Sequence, residues 1–184
     1  NHPFLEALIN TGKPLICSTG MSTELEIKQS ADFLRQKGAN FALLHCNSTY
    51  PTPFKDVHLA YLQKLKNISG GLVGYSGHER GTFIPVSAVA LGAKIIEKHF
   101  TVDQSMEGND HKVSLLPSDF KRMVSEIRAM EESMGNSGER VLTQGELLNR
   151  ETLAKSIISD RAIHKGDVIT REMLDIKSQG QGLQ

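Results

Sequence analysis

The sequence predicts an α/β fold built on a parallel sheet. Three observations carry that expectation: four short apolar runs recur along the chain, segments with helical periodicity separate them, and polar residues stand at or near their ends. The runs cover residues 14–17, 41–46, 71–75 and 94–100. The first three are nearly unbroken apolar stretches, the pattern of strands buried on both faces. A buried helix is the competing reading, and the shortness and punctuation of the runs favour strand.

Between the first two runs, Thr23 and Glu26 form a capping box, Ile27, Ala31 and Leu34 recur at helical spacing, and Gly38 supplies the stop. Residues 56–67 and 83–92 are shorter helix candidates that fit crossover connections. After the fourth run, Ser118 is placed to cap a long helix. Its apolar stripe runs through Phe120, Met123, Val124, Ile127, Met130 and Met134 before Gly135. The order βαβαβαβα requires right-handed crossovers, because parallel neighbours cannot be joined by a tight hairpin.

From Gly135 the chain turns polar, which reads as a domain exit. Ser156–Ser159 then looks like a strand, Lys165–Asp167 like a turn, and Val168–Thr170 like the start of a return strand. So short a segment cannot build its own core and reads as the opening of a second domain. The expected boundaries are 1–136 for the α/β part, 137–155 for a linker and 156–184 for the second domain.

With 184 residues, 21 cationic against 21 acidic side chains, two Cys and no Trp, the chain is neither collagen-like, nor disulfide-stapled, nor a disordered tail. Balanced charge without a Lys/Arg run lacks the footprint of a nucleic-acid binder. No apolar stretch approaches the roughly 18 residues that span a bilayer. Small-molecule chemistry is the expectation, with neither nucleic acid nor membrane as partner. The start at Asn1-His2-Pro3-Phe4 has neither an initiator Met nor a signal-like region, so the chain is expected to begin inside a longer protein.

Ser18, Asn47, Ser76 and His99 are spaced 29, 29 and 23 residues apart, each at or near the C-terminal end of a successive strand. Barrels and open doubly wound sheets both bind ligands at that rim, so the spacing leaves the two open. His78 lies just past the third strand and His99 at the end of the fourth. Adjacent strands sit about 4.8 Å apart, so the two imidazoles can share a metal ion. The alternative is a packed ring at His99 and a loop donor at His78. Asp110 could complete a metal site, hold sugar hydroxyls, act as a base, or simply form a turn. Ser18-Thr19-Gly20 ahead of a capped helix, with Asn47, Ser48 and Ser76, offers hydroxyls and N–H groups to a phosphate or carboxylate. Cys17 and Cys46 match no zinc or redox spacing and read as buried thiols. His45 reads as a satisfied core residue, and Tyr50-Pro51-Thr52-Pro53 as a rigid loop opening.

Taken in order, seven segments resemble the N-acetylneuraminate (sialic acid) synthase family. They are Ser18-Thr19-Gly20-Met21, Leu43-Leu44-His45-Cys46, Tyr50-Pro51-Thr52-Pro53, Gly74-Tyr75-Ser76-Gly77-His78-Glu79, Ala88-Val89-Ala90-Leu91-Gly92-Ala93, Glu97-Lys98-His99-Phe100-Thr101 and Gly108-Asn109-Asp110-His111. The resemblance implies a (β/α)8 TIM barrel, with this chain as its second half, about four βα units, followed by the beginning of a small β-rich antifreeze-like (SAF) domain. It implies a cytoplasmic transferase that condenses phosphoenolpyruvate with N-acetylmannosamine, or its 6-phosphate. The products would be N-acetylneuraminate, or its 9-phosphate, and phosphate released by C–O cleavage. A related legionaminic or pseudaminic acid synthase, or a non-catalytic binding remnant, is the alternative.

A divalent metal is implied, Mn2+ before Mg2+ or Co2+. His78 and His99 match its two histidine ligands and, with Asp110, the catalytic positions. Ser18 and Ser76 match phosphoenolpyruvate-binding residues, and a third such position falls at Asn47 or one place later at Ser48. Tyr50 and Asp110 match substrate-site residues. Gly77 stands where some members carry Asp, and Gln179 where Pro is usual. The resemblance further implies that lysines and acidic groups from the first half of the barrel complete the site, and that an SAF arginine comes from the partner of a domain-swapped homodimer. The 184 residues alone are therefore expected to be inactive.

Overall fold

The computed structural model describes residues 1–178 and Leu183. The chain divides into two compact units, Asn1–Gly135 and Asn136–Gln184. The first unit alternates helix and strand: α1 (His2–Ile9), β1 (Leu15–Ser18), α2 (Glu24–Gln36), β2 (Phe41–Cys46), α3 (Tyr61–Ser69), β3 (Val73–Gly77), α4 (Phe83–Ala90), β4 (Ile95–Lys98) and α5 (Pro117–Met134). The strands lie in the order β1-β2-β3-β4, all parallel, so each crossover advances one place. That is the connectivity of half a βα barrel.

The register sorts the side chains onto two faces, because successive residues of a strand point oppositely. Cys17, Leu43 and Val73 align across β1, β2 and β3, and Tyr75 pairs with His45 and Ile96. These residues face α2, α3 and α4 and form the core with Ile27, Ala31, Leu62, Leu65 and Ala88. The other face carries Ile16, Leu44, Gly74, Ser76 and Glu97. Ile16 is 58% exposed there although it sits in a strand. Both cysteine thiols are half-buried rather than buried, and desolvation pushes the Cys17 thiol above its usual range.

The capping box of α2 forms as expected: Glu26 N–H donates to Thr23 Oγ1 at 3.3 Å, and Thr23 N–H to Glu26 Oε2 at 2.7 Å. Three expectations need correction. The helix expected over 56–67 becomes a 3-10 turn at Phe54–Asp56 and then α3, because His58 takes a left-handed φ of 48° that no helix continues through. Ser118 does not cap α5. Leu116 holds that place, with Pro117 in the first turn, where its fixed φ suits the helix and its missing N–H removes no bond. The return strand is Leu174–Ser178, not 168–170, since Val168 is 82% exposed and it is Ile176 that pairs with Ile157.

In the second unit, β5 (Lys155–Ser159) and β6 (Leu174–Ser178) form an antiparallel pair. The segment 137–155, read as a linker, carries helix α6 (Gln144–Leu153), capped by Thr143 with Glu146. Helix α1, also unanticipated, starts where the Asn1 side chain accepts from Phe4 N–H. Gln179 lies outside the described residues. Among those described, no helix is long and apolar enough to cross a membrane.

His45 is a core residue. Its Nε2 lies 2.6 Å from the Val57 carbonyl oxygen, and burial holds the imidazole below its usual range. The folded state thus keeps His45 neutral while the unfolded chain protonates near pH 6.5. Unfolded protein then binds more protons, so stability is full above that pH and falls as pH drops from about 6.5 toward the folded value. Urea unfolding at a series of pH values should show this loss, and His45→Gln should flatten it. An unchanged slope in the variant would remove His45 as the source.

Candidate active site at the C-terminal rim

The loops that leave β2, β3 and β4 bring four predicted residues together. The His78 and His99 rings meet edge to face with centroids 5.0 Å apart. Tyr50 packs on both, at 5.4 Å from His78 and 4.3 Å from His99. Its loop contains a cis Tyr50–Pro51 peptide. The Tyr50 hydroxyl donates to the Asp110 carbonyl at 3.2 Å and lies 3.3 Å from Ser114 Oγ, which itself donates to that carbonyl at 2.7 Å. The Asp110 carboxylate stands 3.6 Å from His99 Nδ1.

The imidazoles are set differently. His78 Nδ1 donates to the Asn47 carbonyl oxygen at 2.7 Å, which leaves the Nε2 lone pair free. Burial, then the neighbouring His78, pulls His99 below the usual imidazole range, against a weaker opposing pull from Asp110. A neutral ring with an available lone pair is what a divalent ion requires. Two such nitrogens fit an ion that keeps several open positions for water or substrate. Among the described residues no group of three His, Cys, Asp or Glu gathers in ligand geometry; His78 and His99 are the two nitrogen donors at this rim that could hold an ion.

Asn47 is placed otherwise than its sequence position suggests. Its side chain organises the loop, donating to the Asp56 carbonyl at 3.0 Å and accepting from Thr49 N–H at 2.9 Å, while its main chain orients His78. Ser48 lines an open polar pocket of about 460 Å3 with Thr19, Ser22, Thr23 and Asn47. Gly20 makes that approach possible, because a Cβ there would overlap Ser48 Oγ. Ser18 is exposed and lines a separate pocket beside Leu5 and Ile27. Ser76 Oγ donates to Glu97 Oε1 at 2.6 Å, on the face opposite the helices.

Sequence reasoning assigned no role to Ser114, Glu97, Glu79 or Lys98. The last two form a buried ion pair: Lys98 Nζ lies 2.9 Å from Glu79 Oε1 with side-chain exposures of 2% and 0%. Lys98 also donates to the Glu79 carbonyl, and Tyr75 donates to Glu79 Oε2 at 2.5 Å. Burial, then the Glu79 bond, pushes the Tyr75 phenol far above its usual range, so it stays a donor. Burial lowers Lys98, with Glu79 opposing. Opposite charges immediately flanking the two histidines were the available signal.

Comparison with known proteins follows the same line. The NeuB family model matches residues 1–139. Over its full length the chain is 44% identical to the uncharacterized protein MJ1065 of Methanocaldococcus jannaschii, covering 54% of that protein. It is 39% identical, again over its full length, to N,N'-diacetyllegionaminic acid synthase of Campylobacter jejuni, covering 55% of it. Human N-acetylneuraminate-9-phosphate synthase is 35% identical over 96% of this chain and 49% of its own length. The crystal structure of N-acetylneuraminic acid synthetase from Leptospira borgpetersenii superposes with a TM-score of 0.73 at 35% identity, over 83% of this chain and 54% of that one. The chain therefore spans about half the length of the curated relatives it matches, and its four βα units form a half-barrel that superposes on part of the sialic acid synthetase barrel. With a family model running from the first residue through α5, the chain belongs to the NeuB family.

Proposed function

We propose that this chain supplies the C-terminal rim of a metal-dependent synthase. The enzyme condenses phosphoenolpyruvate with an N-acetylmannosamine-type sugar, or its 6-phosphate, and releases a nonulosonic acid and phosphate. The observation that carries the reading is the convergence of His78, His99, Tyr50 and Asp110 at one rim in a NeuB-family chain. His78 and His99 would hold a divalent ion such as Mn2+, whose chemistry when bound is to polarise the sugar aldehyde for attack by C3 of phosphoenolpyruvate. Asp110 holds sugar hydroxyls beside His99. Tyr50 packs on both imidazoles and keeps the Asp110 loop in place through the main-chain carbonyl. Ser18 and Ser48 offer hydroxyls to the phosphate or carboxylate of phosphoenolpyruvate, Ser76 joins them when its hydroxyl turns from Glu97 to the substrate, and the Asn47 amide is engaged by its own loop.

The other half of the barrel completes the site, so the 184 residues alone should release no phosphate. The antiparallel β5–β6 pair suits a reading of 156–184 as the start of a β-rich SAF domain; the homodimer and the cytoplasmic location belong to the same proposal. A legionaminic-type acceptor is the second reading, favoured by the synthase from Campylobacter jejuni aligned over the whole chain; pseudaminic acid synthases are also among its relatives.

The test uses the complete barrel protein carrying this chain, with 18O in the bridging oxygen of phosphoenolpyruvate. Phosphate release should require both an N-acetylated amino-sugar and Mn2+, stop with EDTA, and carry the label into phosphate. Label retained in the sugar acid, or release without any sugar, would overturn the reading.

A further inference from the structure

Glu79 follows His78, and Lys98 precedes His99. Because neighbouring residues of an extended chain point oppositely, the two charges leave the imidazole side and pack next to Tyr75, a core residue on the helix side. There they join the loop that carries His78 to the strand end that carries His99. Every contact is directional: both carboxylate oxygens of Glu79 are engaged, and Lys98 also holds the Glu79 main chain, one residue from His78. A buried ion pair is a poor source of net stability, since desolvation consumes most of its Coulomb gain. What such a pair supplies is a fixed geometry.

We infer that the Glu79–Lys98 pair, closed by Tyr75 and made possible by Gly77, is a positioning device that holds the His78 and His99 imidazoles in mutual register. Gly77 is part of it. A Cβ at residue 77 would lie 2.8 Å from the Tyr75 ring and 2.9 Å from both Glu79 carboxylate oxygens. A side chain at 77 and the Glu79 carboxylate therefore compete for one place opposite Lys98. A carboxylate at 77 is tolerated only if residue 79 gives up its own and the Tyr75 ring shifts from the new Cβ. The inference rests on the metal reading proposed above, with Glu79 and Lys98 acting through the histidines rather than on substrate.

The experiment measures Mn2+ affinity by electron paramagnetic resonance in the complete barrel protein. Imidazole NMR signals of His78 and His99 are recorded in the metal-free protein. Glu79→Gln should weaken Mn2+ binding about 10-fold or more, the size of effect seen when a partner of a metal ligand is lost, and should shift both imidazole signals. Gly77→Asp should do the same. The double variant Gly77→Asp/Glu79→Ser, which restores one carboxylate opposite Lys98, should return to within about threefold of wild type, well inside that 10- to 100-fold range.

Thermal unfolding is followed alongside, because a purely structural pair would lower the melting temperature of the folded variants and leave Mn2+ affinity unchanged. Folded Glu79→Gln with wild-type affinity and unmoved imidazole signals would sink the inference, as would a double variant no better than Gly77→Asp. Should wild type bind no Mn2+ while both imidazole signals respond to Glu79→Gln, the metal reading falls and the positioning device stands.

Discussion

His78→Ala and His99→Ala, each made in the complete barrel protein, should lower Mn2+-dependent phosphate release from phosphoenolpyruvate and N-acetylmannosamine by at least about a thousandfold. A bound ion acting on a carbonyl supplies several kcal/mol of transition-state stabilisation, and about 4 kcal/mol corresponds to that factor in rate. The effect should fall on kcat. Both side chains are partly exposed at the rim, outside the main core cluster, so the variants should remain folded. The double variant should be no slower than either single one, because two ligands of one ion act as a unit. Wild-type turnover by either single variant would remove the metal assignment. Independent, multiplying losses would indicate that the histidines act separately.

Gly74→Ala should be the most damaging single-methyl change in the sheet. Gly74 lies between Leu44 on β2 and Ile95 on β4. A Cβ there would overlap the Ile95 carbonyl oxygen and the Leu44 side chain. Leu44 can change rotamer, but the carbonyl belongs to the neighbouring strand and moves only if β3 and β4 part. The expected loss is about 3 kcal/mol, the upper end for overpacking in a core, read as a lower urea midpoint. Gly71→Ala is the control: it sits at an ordinary φ with only a distant Ser69 contact, so its effect should stay within about 0.5 kcal/mol. Equal midpoints for the two variants would show that the strands tolerate the methyl.

Much of the local structure was legible because its causes are local. The Thr23–Glu26 box started α2 where it was expected, and the same Thr-x-x-Glu pattern at Thr143–Glu146 marks α6, a signal present in the polar stretch and passed over. The left-handed His58 was not legible, since no residue beside it demands that φ and only the packing of the loop after β2 selects it. The return strand was misplaced by an apolar pair, Val168-Ile169, that faces no core.

At the site, the approach of His78 to His99 was readable from the spacing of parallel strands. The use of Asn47 was not, because whether its amide or its carbonyl serves the site depends on how its loop closes.

By itself the sequence determined the parallel α/β order, the rim at which polar residues collect and, through co-linear segments, the family; these follow from periodicity, punctuation and identity along the chain. Only the tertiary structure decided that Glu79 and Lys98, 19 residues apart, meet as a buried pair beside Tyr75 while their neighbours His78 and His99 face each other. The pairing of Gly77 with Lys98 sets that arrangement. A one-residue slip of β4 against β3 would turn Lys98 away from Glu79 and His99 toward the core.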